Sequence, residues 1–193
     1  EQKYIAIVGS RKATSYGKKV TRHIAQELSG MGFGIVSGLA LGIDTFAHEF
    51  ALEAGGKTVA VLACGLDRIY PYENLNLAKK ICKNGALVSE YEEGAAPIKY
   101  RFLERNRLIS GMSIATIVVE AGEKSGALIT ARHAVLQGRE VFAVPGDIDR
   151  PQPKGCALLL KEGAHPFVSV MDLLENLNIQ CNILTYIKKQ NFD

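Results

Sequence analysis

The chain has 193 residues, 47% of them hydrophobic and 22% charged, with a formal net charge of +3. This is the composition of an ordinary globular domain large enough for a real core, and it argues against a disordered or fibrous protein. No apolar run approaches the about 18 residues of a membrane-spanning helix, and so weak a charge permits a nucleic-acid partner without arguing for one.

The first strand is expected at Tyr4–Val8 and runs into Gly9-Ser10-Arg11. A Gly-Ser turn presents backbone N–H donors, and the arginine adds a planar fork that suits a phosphate. Taken alone, the tripeptide is equally a tight turn with a solvated Arg. An amphipathic helix over Tyr16–Met31 stops at Gly32. A strand at Phe33–Ser37 leads into Ser37-Gly38-Leu39-Ala40-Leu41-Gly42-Ile43-Asp44, the most informative stretch of the chain. A glycine-rich turn between a strand and a helix leaves N–H groups unpaired at the positive end of the helix dipole, which makes an anion site. Glycine also lets the backbone approach a phosphate closely. The spacing is not the G-x-G-x-x-G dinucleotide fingerprint. In the helix expected at Ile43–Ala54, Asp44 reads as a cap or first-turn carboxylate. His48 shares its face and reads as a hydrogen-bonded neighbour, since no third metal ligand is evident. Gly55-Gly56-Lys57-Thr58 is a helix stop and not a Walker A loop, because residue 51 is Ala and the run precedes a strand.

Strands at Thr58–Ala63 and Ala86–Ser89 flank a helix at Leu75–Asn84 that stops at Gly85. The next helix, Ile98–Gly111, carries Lys99-Tyr100-Arg101-Phe102-Leu103-Glu104-Arg105-Asn106-Arg107. Basic and aromatic residues interleave there, as on surfaces that hold phosphates and stack bases. However, Ile98, Phe102, Arg105 and Ile109 fall on one helical face, so Phe102 also reads as a core residue. Arg105, Asn106 and Arg107 could equally brace the phosphate loops from inside, with a buried Arg meeting Glu90 or Glu120. A strand at Ile114–Glu120 opens a third junction, where Lys124, Ser125 and Gly126 offer a cation and N–H donors at the start of helix Ala127–Gln137. A plain capped helix is the alternative. Gly138 ends that helix, and a last strand is expected at Val141–Val144.

Past Pro145 the pattern changes to a loop over 147–155 and two short helices near Cys156–Glu162 and Val170–Leu177. Residues 1–180 read as one domain and 181–193 as a linker or the start of a truncated C-terminal module. The chain opens at Glu1 and enters a strand almost at once, the mark of an excised domain. Cys64, Cys82, Cys156 and Cys181 fit neither a zinc site nor a disulfide framework, and read as reduced packing residues of a cytoplasmic protein. The alternation of short strands and longer helices predicts an α/β fold with a mainly parallel sheet, whose ligands bind at the carboxyl ends of the strands.

The ordered set of GSR at 9–11, SGLALGID at 37–44, YP at 70–71, ALVSE at 86–90, FLERNRLISG at 102–111, SGALITA at 125–131 and VFAVPG at 141–146 closely resembles the DNA-processing protein A (DprA, or Smf) family. The likeness covers about Lys3 to Leu177. It implies a Rossmann-like, doubly wound domain with helices on both faces of the sheet. It implies a cytoplasmic, non-catalytic protein without metal or cofactor, usually a dimer. Such a protein binds single-stranded DNA during natural transformation, protects it and loads RecA onto it. By position, Gly9, Ser10, Arg11 and Ser37, Gly38, Ala40, Gly42, Ile43, Asp44 match backbone-phosphate loops. Lys99 matches a phosphate contact, Phe102 a base-stacking aromatic, and Arg105, Asn106 and Arg107 a signature lining the same pocket. Cys156 to Phe167 lies where the family dimerises and meets RecA. The rival reading is a nucleoside-monophosphate phosphoribohydrolase of the LOG type. The stretch Glu120–Thr130 lacks that group's PGG-x-GT-x-x-E pattern. A nucleotide-sensing module is a third option.

Overall fold

The computed structural model describes residues 2–147, 149 and 154–179. The expected linker at 181–193, Cys181 and most of the 147–155 loop lie outside them. Among the described residues the strands form one seven-stranded sheet in the order β4-β3-β2-β1-β5-β6-β7. The strands are β1 (Tyr4–Val8), β2 (Gly34–Ser37), β3 (Thr58–Val61), β4 (Gly85–Val88), β5 (Ala115–Val118), β6 (Glu140–Ala143) and β7 (His165–Pro166). Every pairing is parallel. The chain winds outward from β1 to β4, crosses back, and winds outward again from β5, so β1 and β5 flank the point where the order reverses.

Strand residues alternate between two packed faces, as buried parallel strands must. Ile5, Ile7 and Ile35 pack with helices α1 (Ser15–Gly30) and α2 (Ile43–Glu53). Ala6, Val8 and Val36 face α4 (Lys99–Gly111) and α5 (Gly126–Leu136) through Ile109, Leu128 and Ala131. A smaller core joins Ala60 and Leu62 to Leu77 and Ile81 of α3 (Leu75–Asn84). Helix α6 (Lys154–Lys161) adds Cys156 and Leu159 to the α4–α5 side, whereas α7 (Val170–Asn176) joins the α1–α2 side. The sheet is therefore doubly wound with helices on both faces. No helix among the described residues is long and apolar enough to cross a membrane.

Two expectations change. The sheet is wholly parallel and gains β7, which pairs Phe142 with His165 and Ala143 with Pro166; two residues carry no readable period. Helix α3 stops at Gly85 as expected, but Gly85 sits extended at φ −171° and starts β4, where Gly32 and Gly138 are left-handed. It must be glycine for another reason, since a Cβ there would collide with the Thr58 carbonyl. Helix α6 starts at Lys154, inside the stretch expected to be a loop.

Candidate nucleic-acid interface

A cleft of about 790 Å³ opens at the carboxyl ends of β1, β2 and β5, at the reversal of strand order. This is where open α/β sheets bind ligands. The β1–α1 turn supplies Gly9, Ser10, Arg11 and Lys12 to its wall, the β2–α2 loop supplies Ala40, and the first turn of α2 supplies Asp44. Helix α4 adds Lys99, Phe102, Arg105 and Asn106, and the β5–α5 turn adds Lys124, Ser125 and Gly126. Among the described residues five cations and one carboxylate thus line it, counting Arg11, Lys12, Lys99, Arg105 and Lys124 against Asp44.

The floor is a closed polar network. Asp44 is 7% and Arg105 3% exposed. Asp44 Oδ2 accepts the Gly38 N–H at 3.1 Å, with the Ala40 N–H also serving the carboxylate. Arg105 Nη1 donates to the Gly38 carbonyl at 2.7 Å and to the Val61 carbonyl, and its Nε donates to Asn106 Oδ1 at 3.3 Å. Burial pushes the Asp44 carboxyl up from its ordinary range, against the pull of the Arg105 charge and the loop N–H groups. Burial likewise pushes the Arg105 guanidinium down, while Asp44 holds it up. Each charge is tolerable inside because the other is there. Gly38 lies between them, and a Cβ would stand 2.7 Å from Asp44 Oδ2 and from Arg105 Nη2.

Part of the loop's donor set is committed within the chain: the N–H groups of Gly38 and Ala40 serve Asp44, and that of Ile43 donates to the Ser10 carbonyl at 3.1 Å. Asp44 is a first-turn carboxylate of α2, one of the two roles expected of it, and does not cap that helix, whose N-terminal flank is Gly42 at φ +81°. Any side chain on Gly42 would run into that same Ser10 carbonyl. Ser37 is buried, its hydroxyl donating to the Ile7 carbonyl at 2.6 Å. Ser37, Gly38, Gly42 and Ile43 therefore stand behind the wall and fasten the first two loops together.

Further open donors lie on the first and third turns. Among the described residues, the N–H groups of Gly9, Ser10, Arg11 and Gly126 have no acceptor. Ser125 caps α5 by accepting the Ala127 N–H at 3.3 Å, so that helix end faces the cleft. The N-terminus of α1 is filled by the chain's own anion. Glu120 Oε2 accepts the Thr14 N–H at 2.9 Å, and Oε1 accepts the Thr14 hydroxyl.

The rim is exposed. Arg11, Lys12, Lys99 and Lys124 form no ion pair or hydrogen bond through their side chains among the described residues. The Arg11 guanidinium carbon lies 5.4 Å from the centroid of the half-buried Phe102 ring, and that of Arg105 lies 6.0 Å away. Asn106 braces the third turn by donating to the Gly126 carbonyl at 3.2 Å. Arg107 faces away from the cleft and pairs with Glu90 at the surface. The buried Arg pairing considered for Glu90 or Glu120 is therefore absent: Glu90 meets the exposed Arg107, and Glu120 holds Thr14. His48 does not meet Asp44 either. Thr58 Oγ1 donates to the Ile35 carbonyl and so accepts from His48 Nδ1 at 2.7 Å, which fixes the tautomer. Burial holds the His48 pKa down at about 3. Lys12 and Tyr70 line the cleft without having been expected there; Lys12 directly follows GSR, and Tyr70 belongs to the YP pair.

The sequence model of the DNA recombination-mediator protein A family matches residues 1–178. DNA processing protein DprA of Bacillus subtilis is 47% identical over 173 residues, which are 90% of this chain and 58% of that protein. The crystal structure of DNA processing protein A from Streptococcus pneumoniae superposes with a TM-score of 0.84 at 43% identity, covering 90% of this chain and 61% of that one. A structure describing the single-stranded DNA binding mode of DNA processing protein A from Helicobacter pylori superposes with a TM-score of 0.82 at 36% identity, covering 91% and 80%.

Proposed function

Since the chain belongs to the family of DNA recombination-mediator protein A, we propose that its strand-end cleft binds single-stranded DNA. The observation that carries this reading is the rim. Cations at Arg11, Lys12, Lys99 and Lys124, unpaired among the described residues, surround open backbone donors and a half-buried aromatic ring. Phosphates meet Arg11, the lysines and the Gly9–Arg11 and Gly126 N–H groups, with no covalent step. One base stacks on Phe102, an interaction worth about 1–3 kcal/mol and tolerant of base identity. Sequence specificity is low, because phosphate contacts carry no base information. The single-strand binding described for the Helicobacter pylori relative supports the same ligand.

The wider role follows the family. Residues 1–180 act as one cytoplasmic, non-catalytic domain that pairs with a second copy near Cys156 to Phe167, protects DNA taken up in natural transformation, and delivers it to RecA. Fluorescence anisotropy of labelled single-stranded and duplex oligonucleotides across a salt series tests the core of this. Preferential, salt-sensitive binding to single strands is expected. No binding to either by a folded protein, with ribose phosphate released from a nucleoside monophosphate, would favour the phosphoribohydrolase reading instead.

A further inference from the structure

Tyr70 packs edge to face against Phe102 in the cleft wall, with ring centroids 5.5 Å apart and planes at 60°. It lines the cleft and is 46% exposed, although a tyrosine ring gains by burial. The turn that carries it is held tightly. Pro71 and Asn74 are buried, and the Asn74 N–H donates to the Pro71 carbonyl at 3.1 Å. Asn74 Nδ2 donates to the Leu39 carbonyl at 2.9 Å and to Thr45 Oγ1 at 2.8 Å. Leu39 has φ +56°, rare for a residue with a Cβ. The Tyr70 turn is thus bolted to the loop that positions Asp44, and its ring has a fixed place relative to Phe102.

We propose that Tyr70 is a second base platform, and that the crossed pair selects a strand whose neighbouring bases are not stacked on each other. The proposal rests on the single-strand reading above. Bases in a duplex, or in a stacked single strand, lie parallel. Two ring faces 60° apart cannot both be covered by a parallel stack, so a strand that uses both must open one step. Thymine runs, which stack weakly, open at little cost, and adenine runs resist. Preferences of this origin come from stacking strength and backbone flexibility rather than from base edges.

The test is anisotropy on labelled dT and dA oligonucleotides of equal length at one salt concentration, using the full chain. The wild-type protein is expected to favour dT. Tyr70→Ala and Tyr70→Leu are expected to lose about 5- to 150-fold on dT, the range of one stacked base, and less on dA. Tyr70→Phe keeps the ring and is expected to keep both affinity and the dT preference. Tyr72, 77% exposed and outside the cleft wall, serves as the control, and Tyr72→Ala is expected to bind as wild type. A Tyr70→Leu protein that binds dT like the wild type overturns the platform while leaving the single-strand reading intact. An equal loss in Tyr72→Ala also overturns it. A wild-type protein that binds no single strand overturns both.

Discussion

At the floor of the cleft, Asp44, Arg105 and Asn106 are buried and satisfied by groups of the chain itself. At the rim, Arg11, Lys99 and Lys124 stand in solvent with no ion pair or side-chain hydrogen bond among the described residues. The two regions share sequence motifs: Lys99 and Arg105 are on one helix, and Arg11 and Asp44 lie on two adjoining strand-to-helix junctions. A positive charge near a cleft is therefore not by itself a ligand contact. An arginine whose donors already meet carbonyls is scaffold, whereas a cation with idle donors is available to a phosphate.

The contrast breaks first at Arg105. Arg105→Ala removes two donors from the Gly38 and Val61 carbonyls and leaves Asp44 buried without its counter-charge. Stability is expected to fall by about 3–5 kcal/mol in denaturant unfolding, and DNA affinity to fall as a consequence. A stable Arg105→Ala protein that merely binds less would move Arg105 from floor to rim.

Acid titration probes a second buried group. The folded pKa of His48 is depressed to about 3, so below about 6.5 the unfolded chain binds a proton that the folded chain refuses. From His48 stability is expected to fall by about 1.4 kcal/mol per pH unit between those values. Asp44, whose folded pKa is raised by burial, acts in the opposite sense above its ordinary value of 3.8. His48→Asn is expected to flatten the slope by one proton; an unchanged slope would show that His48 charges in place.

The smallest effect is expected at Arg107. Its pair with Glu90 is largely exposed, so Arg107→Ala should cost under about 1 kcal/mol and leave DNA affinity near the wild-type value. A large drop in binding would put Arg107 back in the site.

Much of the fold is legible because each strand is a short apolar run closed by a glycine or followed by a helical period, as at Val8-Gly9 and Ser37-Gly38. The two-residue β7 is too short to carry a pattern. In the site, Arg105 and Arg107 are two residues apart on a helix, hence about 200° apart, and only one of them can face the cleft. That signal was in the sequence, but the motif masked it. The inward turn of the Ser37–Asp44 donors was not legible. It depends on the positive φ of Leu39 and on Asp44 folding back to Gly38, which no local propensity dictates. Tyr70 was equally hidden, since the turn that brings it to Phe102 is set by Asn74 reaching Leu39.

The most direct measurement is the salt dependence of single-strand binding for wild type and Arg11→Ala, alongside their unfolding curves. Superimposable unfolding curves are expected, with uniformly weaker binding to all oligonucleotides. The log–log salt slope is expected to be shallower by about 0.7 for each phosphate that Arg11 neutralises in the wild type. An unchanged slope in a folded Arg11→Ala protein would contradict the division into scaffold floor and phosphate-holding rim.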